Sequence, residues 1–360
     1  MVATTRRTAT VAPARQPYAT RRTEPRRRRA ELPGRLGKEQ FQEQFEAMVA
    51  NIGKVVKGKD DVVRLALVGV LAQGHILFED LPGTGKTMLA RSIAQTINAR
   101  QSRVQCTPDL LPADITGSAT LDRKTGDFVF RPGPVFGNIF LADEINRATP
   151  KTQSALLEAM QERRVTYDGV VYPLPAPFTV LATQNPIEQA GTFPLPEAQL
   201  DRFMFKLSLG FLSREADAEV LLVNRKKEAI ESLEPIIETS DVVHMIDWAE
   251  DVTVSEPVAL YIVDLVHATR NDPAIQAGAS ARASLALLRA SRVLAASQGR
   301  DDVLPNDVKV LARPVLGHRL LLTPDALLRD ETIENVVDRI VTRVKVPVGL
   351  GKAALDVGRD

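Results

Sequence analysis

Ile76-Leu77-Phe78-Glu79-Asp80-Leu81-Pro82-Gly83-Thr84-Gly85-Lys86-Thr87-Met88 begins as an apolar strand, turns through a glycine-bearing loop and enters a helix. A polyphosphate is held by backbone N–H groups pointing inward at a helix N-terminus, in a loop of small residues that lets the chain approach closely. Gly83 and Gly85 supply such a loop, with Pro82 and Thr84 beside them. Lys86 would reach the β- and γ-phosphates, the Thr87 hydroxyl would hold Mg²⁺, and Met88 follows in the first helical turn. The strict phosphate-loop pattern has glycine where this chain has Asp80, so the match is incomplete. A Gly-Lys-Thr after a strand is suggestive on its own, and the strand–loop–helix context strengthens it.

A second stretch decides the reading. Ile139-Phe140-Leu141-Ala142-Asp143-Glu144 is an apolar strand ending in two acids. Asp143 is placed to support Mg²⁺ through water, and Glu144 to polarise an attacking water as general base. Two acids that merely cap the next helix would not explain the phosphate loop that precedes them. A third strand over 178–183 runs into Gln184-Asn185-Pro186. Adjacent to the phosphate-loop strand, it would let Asn185 bond both the γ-phosphate and the water; an asparagine that only starts a turn before proline is the other reading.

Two arginines extend the set. Arg202, in Leu200-Asp201-Arg202-Phe203, would reach a neighbouring subunit's γ-phosphate as a finger, or else pair within the chain with Asp201 or Glu197. Arg282 opens a later helix and would report nucleotide state to a second domain, or else stand solvated in a first turn.

Around these motifs the chain alternates helices and short apolar strands, as a mostly parallel sheet covered on both faces requires. Strands are expected over 76–79, 104–106, 139–142 and 178–183, with helices over 87–97 and from Thr149-Pro150, a cap residue and a first-turn proline. Asp168-Gly169 marks a hairpin over 165–172, and Arg123-Lys124-Thr125-Gly126 a weaker one over 119–130. Beyond about Phe211 helical periodicity takes over, near 214–229, 257–269, 281–296 and 306–322. Residues 334–344 read as a last helix or part of a short terminal strand. The expected organisation is a tail over 1–35, an α/β nucleotide-binding core over 36–210 and a smaller helical lid with a C-terminal extension over 211–360.

Composition bounds the rest. The 360 residues are 44% hydrophobic and 25% charged, as in an ordinary globular protein. No apolar run approaches the roughly 18 to 20 residues of a membrane-spanning helix, so no membrane insertion is expected. The N-terminus lacks the apolar core of a secretory signal, and one cysteine, Cys106, fits a reducing cytoplasm. The net charge of +1 hides a division. Residues 1–35 carry ten of the 46 basic residues and two acids, leaving 36 basic against 43 acidic residues in the remainder. That first segment has few large apolar residues and reads as a disordered, solvated tail. Its clustered arginines would also suit phosphates or anionic lipid, and its composition a transit peptide.

By residue pattern the chain resembles the MoxR family of AAA+ ATPases, in the helix-2-insertion group. The resemblance is carried by 141–148 (Leu-Ala-Asp-Glu-Ile-Asn-Arg-Ala) continuing through 151–162, by Ala182-Thr183-Gln184-Asn185-Pro186, and by 195–203. Gly278-Ala279-Ser280-Ala281-Arg282-Ala283-Ser284 is similar to the lid motif, with Ala281 where proline is common. The resemblance covers roughly 38–346 and is compatible with Asp80 in a looser phosphate loop. It implies an AAA+ core with two hairpin insertions and a helical lid, ATP and Mg²⁺ as cofactors, Asn185 as first sensor, Arg202 as finger and Arg282 as second sensor. Arg147 and Arg319 are further exposed arginines in matching blocks. Val55-Val56-Lys57-Gly58 resembles the segment lining the adenine pocket, which puts Val56 and Gly58 beside the base. A homo-oligomeric ring is implied, with six subunits, acting on a client protein or complex, often through a von Willebrand factor A domain adaptor and in some members inserting a metal. Other readings are a magnesium-chelatase-like subunit, a nucleic-acid motor, against which the acidic body argues, and a nucleotide-dependent scaffold with little turnover.

Overall fold

The computed structural model describes residues 37–81, 83–186, 191–214, 216–218, 230 and 233–347. The tail over 1–35 therefore lies outside the described residues, as does most of the helix expected over 214–229.

Two helices, α1 (Lys38–Gly53) and α2 (Asp60–Leu71), lead to β1 (Ile76–Glu79). The core continues through α3 (Lys86–Thr96), β2 (Gln101–Gln105), α4 (Pro112–Thr116), the hairpin β3 (Gly117–Leu121) and β4 (Phe128–Pro132), β5 (Ile139–Asp143) and α5 (Pro150–Glu162). A second hairpin, β6 (Arg164–Tyr167) and β7 (Val170–Pro173), precedes β8 (Thr179–Gln184), α6 (Glu197–Leu200) and β9 (Phe205–Leu207). The central sheet runs β2-β5-β8-β1-β9 and every neighbouring pair is parallel. Buried on both faces, β5 is apolar through Ala142, as a strand covered by helices must be.

Local chemistry accounts for the elements that sequence locates. Thr149 accepts the Thr152 N–H at the start of α5, and Pro150 takes the first helical position, where a missing N–H costs nothing. Asp168 (φ +48°) and Gly169 (φ +75°) form the two-residue turn of β6–β7. Phe130 of β4 stacks on Tyr172 at 4.3 Å and meets Tyr167 at 5.1 Å, so the two hairpins pack as one unit.

The C-terminal half holds α7 (Thr239–Glu250), α8 (Glu256–Arg270), β10 (Ile275–Ala277), α9 (Ala281–Ser297), α10 (Pro305–Leu316), β11 (Leu321–Leu322), α11 (Pro324–Leu328) and α12 (Ile333–Arg343). The helix expected over 306–322 ends at Leu316, and Leu321–Leu322 instead pairs antiparallel with β10. A two-residue strand is too short to show a period. Residues 334–344 are helical to Arg343. One apolar core runs from α1, α2 and α3 into α7–α10 and α12; a second lies on the opposite sheet face under α5 and the hairpins. No helix among the described residues is long and apolar enough to cross a membrane.

Candidate nucleotide site and the arginine face

β1 ends at Glu79, and the next residue shows why glycine is not needed there. Asp80 is 5% exposed, and its carboxylate accepts from the Ser208 hydroxyl at 2.7 Å and from the N–H groups of Leu209 (2.7 Å) and Gly210 (2.9 Å). It thus ties the start of the loop to the chain leaving β9. Gly83 and Gly85 sit at φ +83° and +93°, and a Cβ at either would meet nothing within 4 Å. Glycine is required there for the left-handed backbone, not for space. Pro82 lies outside the described residues.

Lys86 and Thr87 open α3, with Met88 half-buried behind them. The Lys86 ammonium donates to the loop carbonyls of Asp80 (3.1 Å) and Leu81 (2.8 Å) and to the Thr84 hydroxyl (3.3 Å). Burial pulls it below the usual lysine range, while Asp80, Asp143 and Glu144 pull the other way. The Thr87 hydroxyl faces Asp143 Oδ2 at 3.5 Å. Two hard oxygens from separate elements fit Mg²⁺, which keeps waters and phosphate oxygens as its remaining ligands. No cluster of three or more His, Cys, Asp or Glu among the described residues suggests a dedicated cage.

β8 lies between β1 and β5. Asn185, just beyond its end, is therefore adjacent to both the phosphate-loop strand and the Asp143 strand, and is buried. Thr183, which sequence did not single out, is the local organiser. Its hydroxyl donates to Asp143 Oδ1 at 2.8 Å and accepts the Glu144 N–H at 2.9 Å. Glu144 has φ +54°, a conformation costing a non-glycine residue about 1–3 kcal/mol, and the Thr183 bond helps hold it. Its carboxylate pairs with Arg147 at 3.0 Å. Arg103 of β2, also missed from sequence, grips Asp143 Oδ2 through Nε (3.0 Å) and Nη2 (2.7 Å). Nothing local flags Arg103, because its partner is 40 residues away across the sheet. Cys106 is buried beside these acids, and its thiol is pushed up to about 12, so it stays protonated and unreactive.

The α1–α2 loop approaches this end of the sheet. Val56 is buried in the core beside α1–α3, Gly58 takes φ +65°, and the neighbouring Lys59 donates to the Phe211 carbonyl at 2.7 Å. Phe211 follows directly on the segment that Asp80 holds.

The arginines lie elsewhere. Arg202 precedes β9 by three residues, at the N-terminal ends of the parallel strands. Arg202 and Arg282 line one cavity with Gly74 and His75, which precede β1. The phosphate loop follows the other end of β1, about 13 Å away for a four-residue strand. Arg282 is thus not brought to the phosphate loop of its own chain. Asp201 pairs with Arg319 at 2.9 Å, meets Arg282 at 3.6 Å and accepts from the Ser280 hydroxyl at 2.9 Å. Arg202 does not pair with Asp201 or Glu197; its Nε is buried without a partner among the described residues. Arg319 corrects the expectation of an exposed arginine. It is 9% exposed and bonds Asp201, the Phe203 carbonyl at 2.5 Å, the Met204 carbonyl at 3.2 Å and the Val315 carbonyl. It fastens α10 to the core and is not available to a neighbour.

Two family models match this chain: the ATPase family associated with various cellular activities (AAA), over residues 75–205, and the AAA lid domain, over 267–340. Chaperone MoxR1 of Mycobacterium tuberculosis is 42% identical over 312 residues, spanning 84% of this chain and 82% of that protein. The uncharacterized protein YeaC of Bacillus subtilis is 48% identical over 300 residues, 83% of this chain and 94% of its own length. Protein MoxR of Paracoccus denitrificans is 30% identical over 328 residues, 84% of this chain and 96% of that one. Among solved structures, the "putative ATPase" of Cytophaga hutchinsonii superposes with a TM-score of 0.80 at 38% identity, covering 86% of this chain and 97% of the other. A parallel sheet with phosphate loop and acidic strand end, an appended lid and relatives of near-equal length agree: the chain belongs to the MoxR family of AAA+ ATPases.

Proposed function

We propose that this chain binds ATP with Mg²⁺ and hydrolyses it at a site completed by the next copy in a ring, a hexamer by family resemblance. One observation carries the reading: the phosphate loop with Asp143 and Glu144 stands at one end of the parallel strands, and Arg202 with Arg282 at the other. A single copy does not bring the two together; a head-to-tail neighbour would, and such heterologous contacts close into a ring when the rotation between copies closes.

Val56 and Gly58 would flank the base, and residues 82–88, with Pro82 among them, would cradle the phosphates. Thr87 and Asp143 would hold Mg²⁺, which neutralises the charge that develops on the transferred phosphoryl group. Glu144 would leave Arg147 to take the proton of the attacking water, oriented by Asn185. Arg202 and Arg282 of the neighbour would stabilise the γ-phosphate, a contribution of about 10³ or more for a finger. The core over 36–210 and the lid over 211–360 would change their angle with nucleotide state and so remodel, assemble or mature a client protein in the cytoplasm. The relative named as a chaperone supports a protein client. A von Willebrand factor A domain adaptor and insertion of a metal into an enzyme belong to the same reading.

The test is Mg²⁺-dependent ATP hydrolysis against protein concentration, for the wild type and Glu144→Gln, with assembly followed by light scattering. Activity per subunit should rise as rings form, and the variant should bind ATP without turnover. A wild type that binds ATP yet stays inactive in every assembled state refutes hydrolysis by the ring; failure to bind ATP refutes the whole reading.

A further inference from the structure

The cavity at the arginine face contains more cation than Arg202 and Arg282. Its volume is about 320 Å³, and its walls carry five arginines (Arg163, Arg202, Arg282, Arg289 and Arg319) against one acid, Asp201. Three of the five have specific partners. Arg319 is buried on Asp201 and backbone carbonyls, Arg282 leans on Asp201, and Arg163 donates to the Gln73 side chain at 2.5 Å and the Gln73 carbonyl at 2.6 Å. Arg289 and Arg202 have no side-chain hydrogen bond or ion pair among the described residues. Arg289 is exposed, so no packing demand fixes its identity.

Guanidinium groups converging on one cavity repel one another, and burial of Arg163 beside Arg289 pulls it below the usual arginine range. Such an arrangement is favourable once a multivalent anion enters, and planar guanidinium forks match phosphate oxygens better than any other side chain. Arg289 stands seven residues beyond Arg282 on α9, two turns along the same face and about 10 Å away. Long side chains from those two positions converge on an extended polyphosphate rather than on one small anion.

We propose that Arg289 is a third phosphate-binding residue of the composite site, gripping the triphosphate held by the phosphate loop of a second copy of this chain. The inference rests on the ring reading above and adds a residue which that reading does not include. Arg289 makes the cavity a polyphosphate subsite, with Asp201 and Arg319 as its fixed floor. Arg202 and Arg282 take the terminal phosphate, and Arg289 takes the oxygens nearer the nucleoside.

The experiment mixes subunits. Lys86→Ala disables the loop but keeps the arginines; Arg289→Ala keeps the loop. Each alone should be impaired, Arg289→Ala by about 10- to 100-fold in activity, less than a finger, with ATP affinity of the dilute monomer unchanged. Random mixing pairs an intact loop with an intact arginine face at about a quarter of head-to-tail interfaces, so activity should return. Lys86→Ala mixed with Arg202→Ala is the parallel control. If the control regains activity and the Arg289→Ala mixture does not, Arg289 does not act on a neighbour's nucleotide. If neither regains it, the ring reading fails and this inference with it. Assembly by light scattering separates phosphate from protein contact. Arg289→Ala should raise the protein concentration needed for assembly in ATP only, and Arg289→Lys should recover part of it. An equal shift without nucleotide would mean that Arg289 meets a carboxylate of the neighbour instead, which overturns the proposal.

Discussion

Replacing Asp80 by alanine should cost more stability than any other single change in the loop outside its glycines. The carboxylate accepts three donors, and the Leu209 N–H it holds at 2.7 Å is buried. Hydrogen bonds to a charged acceptor contribute about 1.5–3 kcal/mol each, and a stranded buried donor costs about 1–3 kcal/mol. The Ser208 hydroxyl and Gly210 N–H are only partly buried and can find water, which discounts their share. The expected loss is about 3–5 kcal/mol, a large fraction of the 5–15 kcal/mol typical of a domain. Urea unfolding followed by circular dichroism would read it, at concentrations where the wild type is monomeric. Asp80→Asn, which keeps one acceptor oxygen, should fall between. Freed from Asp80, residues 208–211 would also loosen the Lys59–Phe211 contact, so ATP affinity should drop with stability. A loss under about 1 kcal/mol would refute the anchoring argument, because it would mean that water or neighbouring groups replace the carboxylate. The expected loss of stability with unchanged ATP affinity would confine Asp80 to the fold.

Arg103→Gln removes the cation that grips Asp143 Oδ2, the oxygen facing Thr87; the Mg²⁺ concentration for half-maximal ATP binding should fall about two- to fivefold, the scale of a half-exposed ion pair. A raised requirement, measured by titrating Mg²⁺ against a fluorescent ATP analogue, would mean that Arg103 orients the carboxylate more than it competes for it. Acid should destabilise the chain through His75, whose buried ring accepts the Val180 N–H and faces the Met160 carbonyl. Burial depresses it from 6.5 to about 4, so the unfolded chain binds the extra proton; its contribution is intact above about 6.5 and lost as pH falls towards 4, roughly 3 kcal/mol in all. His318 is depressed for the same reason and adds a loss of the same sign. His75→Gln should flatten, without abolishing, the fall of urea midpoint between pH 7 and pH 4.5, and an unchanged slope would remove His75 from the account.

What sequence makes legible here is what local chemistry decides. The phosphate loop, the acidic strand end, the Thr149 cap and the Asp168-Gly169 turn each need particular residues within a few positions, and each stands where the residues put it. The strand expected over 104–106 is instead Gln101–Gln105, because an edge strand with one half-exposed face carries polar residues that break an apolar run. β9, three residues long, and β11, two residues long, are too short for any period to emerge. α1 and α2 carry no motif, although Phe41, Phe45, Met48 and Ile52 trace one buried stripe of α1. At the site, the missing pieces are those whose partners are distant in sequence. Thr183 and Arg103 meet Asp143 from 40 residues away on either side, and Arg319 meets Asp201 from 118. Charge and spacing say that an arginine is present; the tertiary fold alone says whether it is buried.

That distinction bears on how a nucleotide would move the lid. On the composite-site reading, the phosphate that Arg282 senses belongs to the neighbour, so hydrolysis in one copy is felt first by the lid of the next. Asp201 stands between two cations held with unequal strength. Arg282 is half-exposed and 3.6 Å distant, a contact worth about 0–1 kcal/mol, whereas Arg319 is buried with several acceptors, and breaking such a pair costs about 3–5 kcal/mol. A γ-phosphate can therefore draw Arg282 off Asp201 at little cost, while Arg319 keeps α10 fastened to the core. The lid would not detach; it would pivot about the Arg319–Asp201 joint, with α9 as the lever that Arg282 and Arg289 pull. Loss of Arg282 would then silence the signal and leave the joint intact, whereas loss of Arg319 would loosen the joint whatever nucleotide is bound, with the shared apolar core still holding the lid helices to α1–α3.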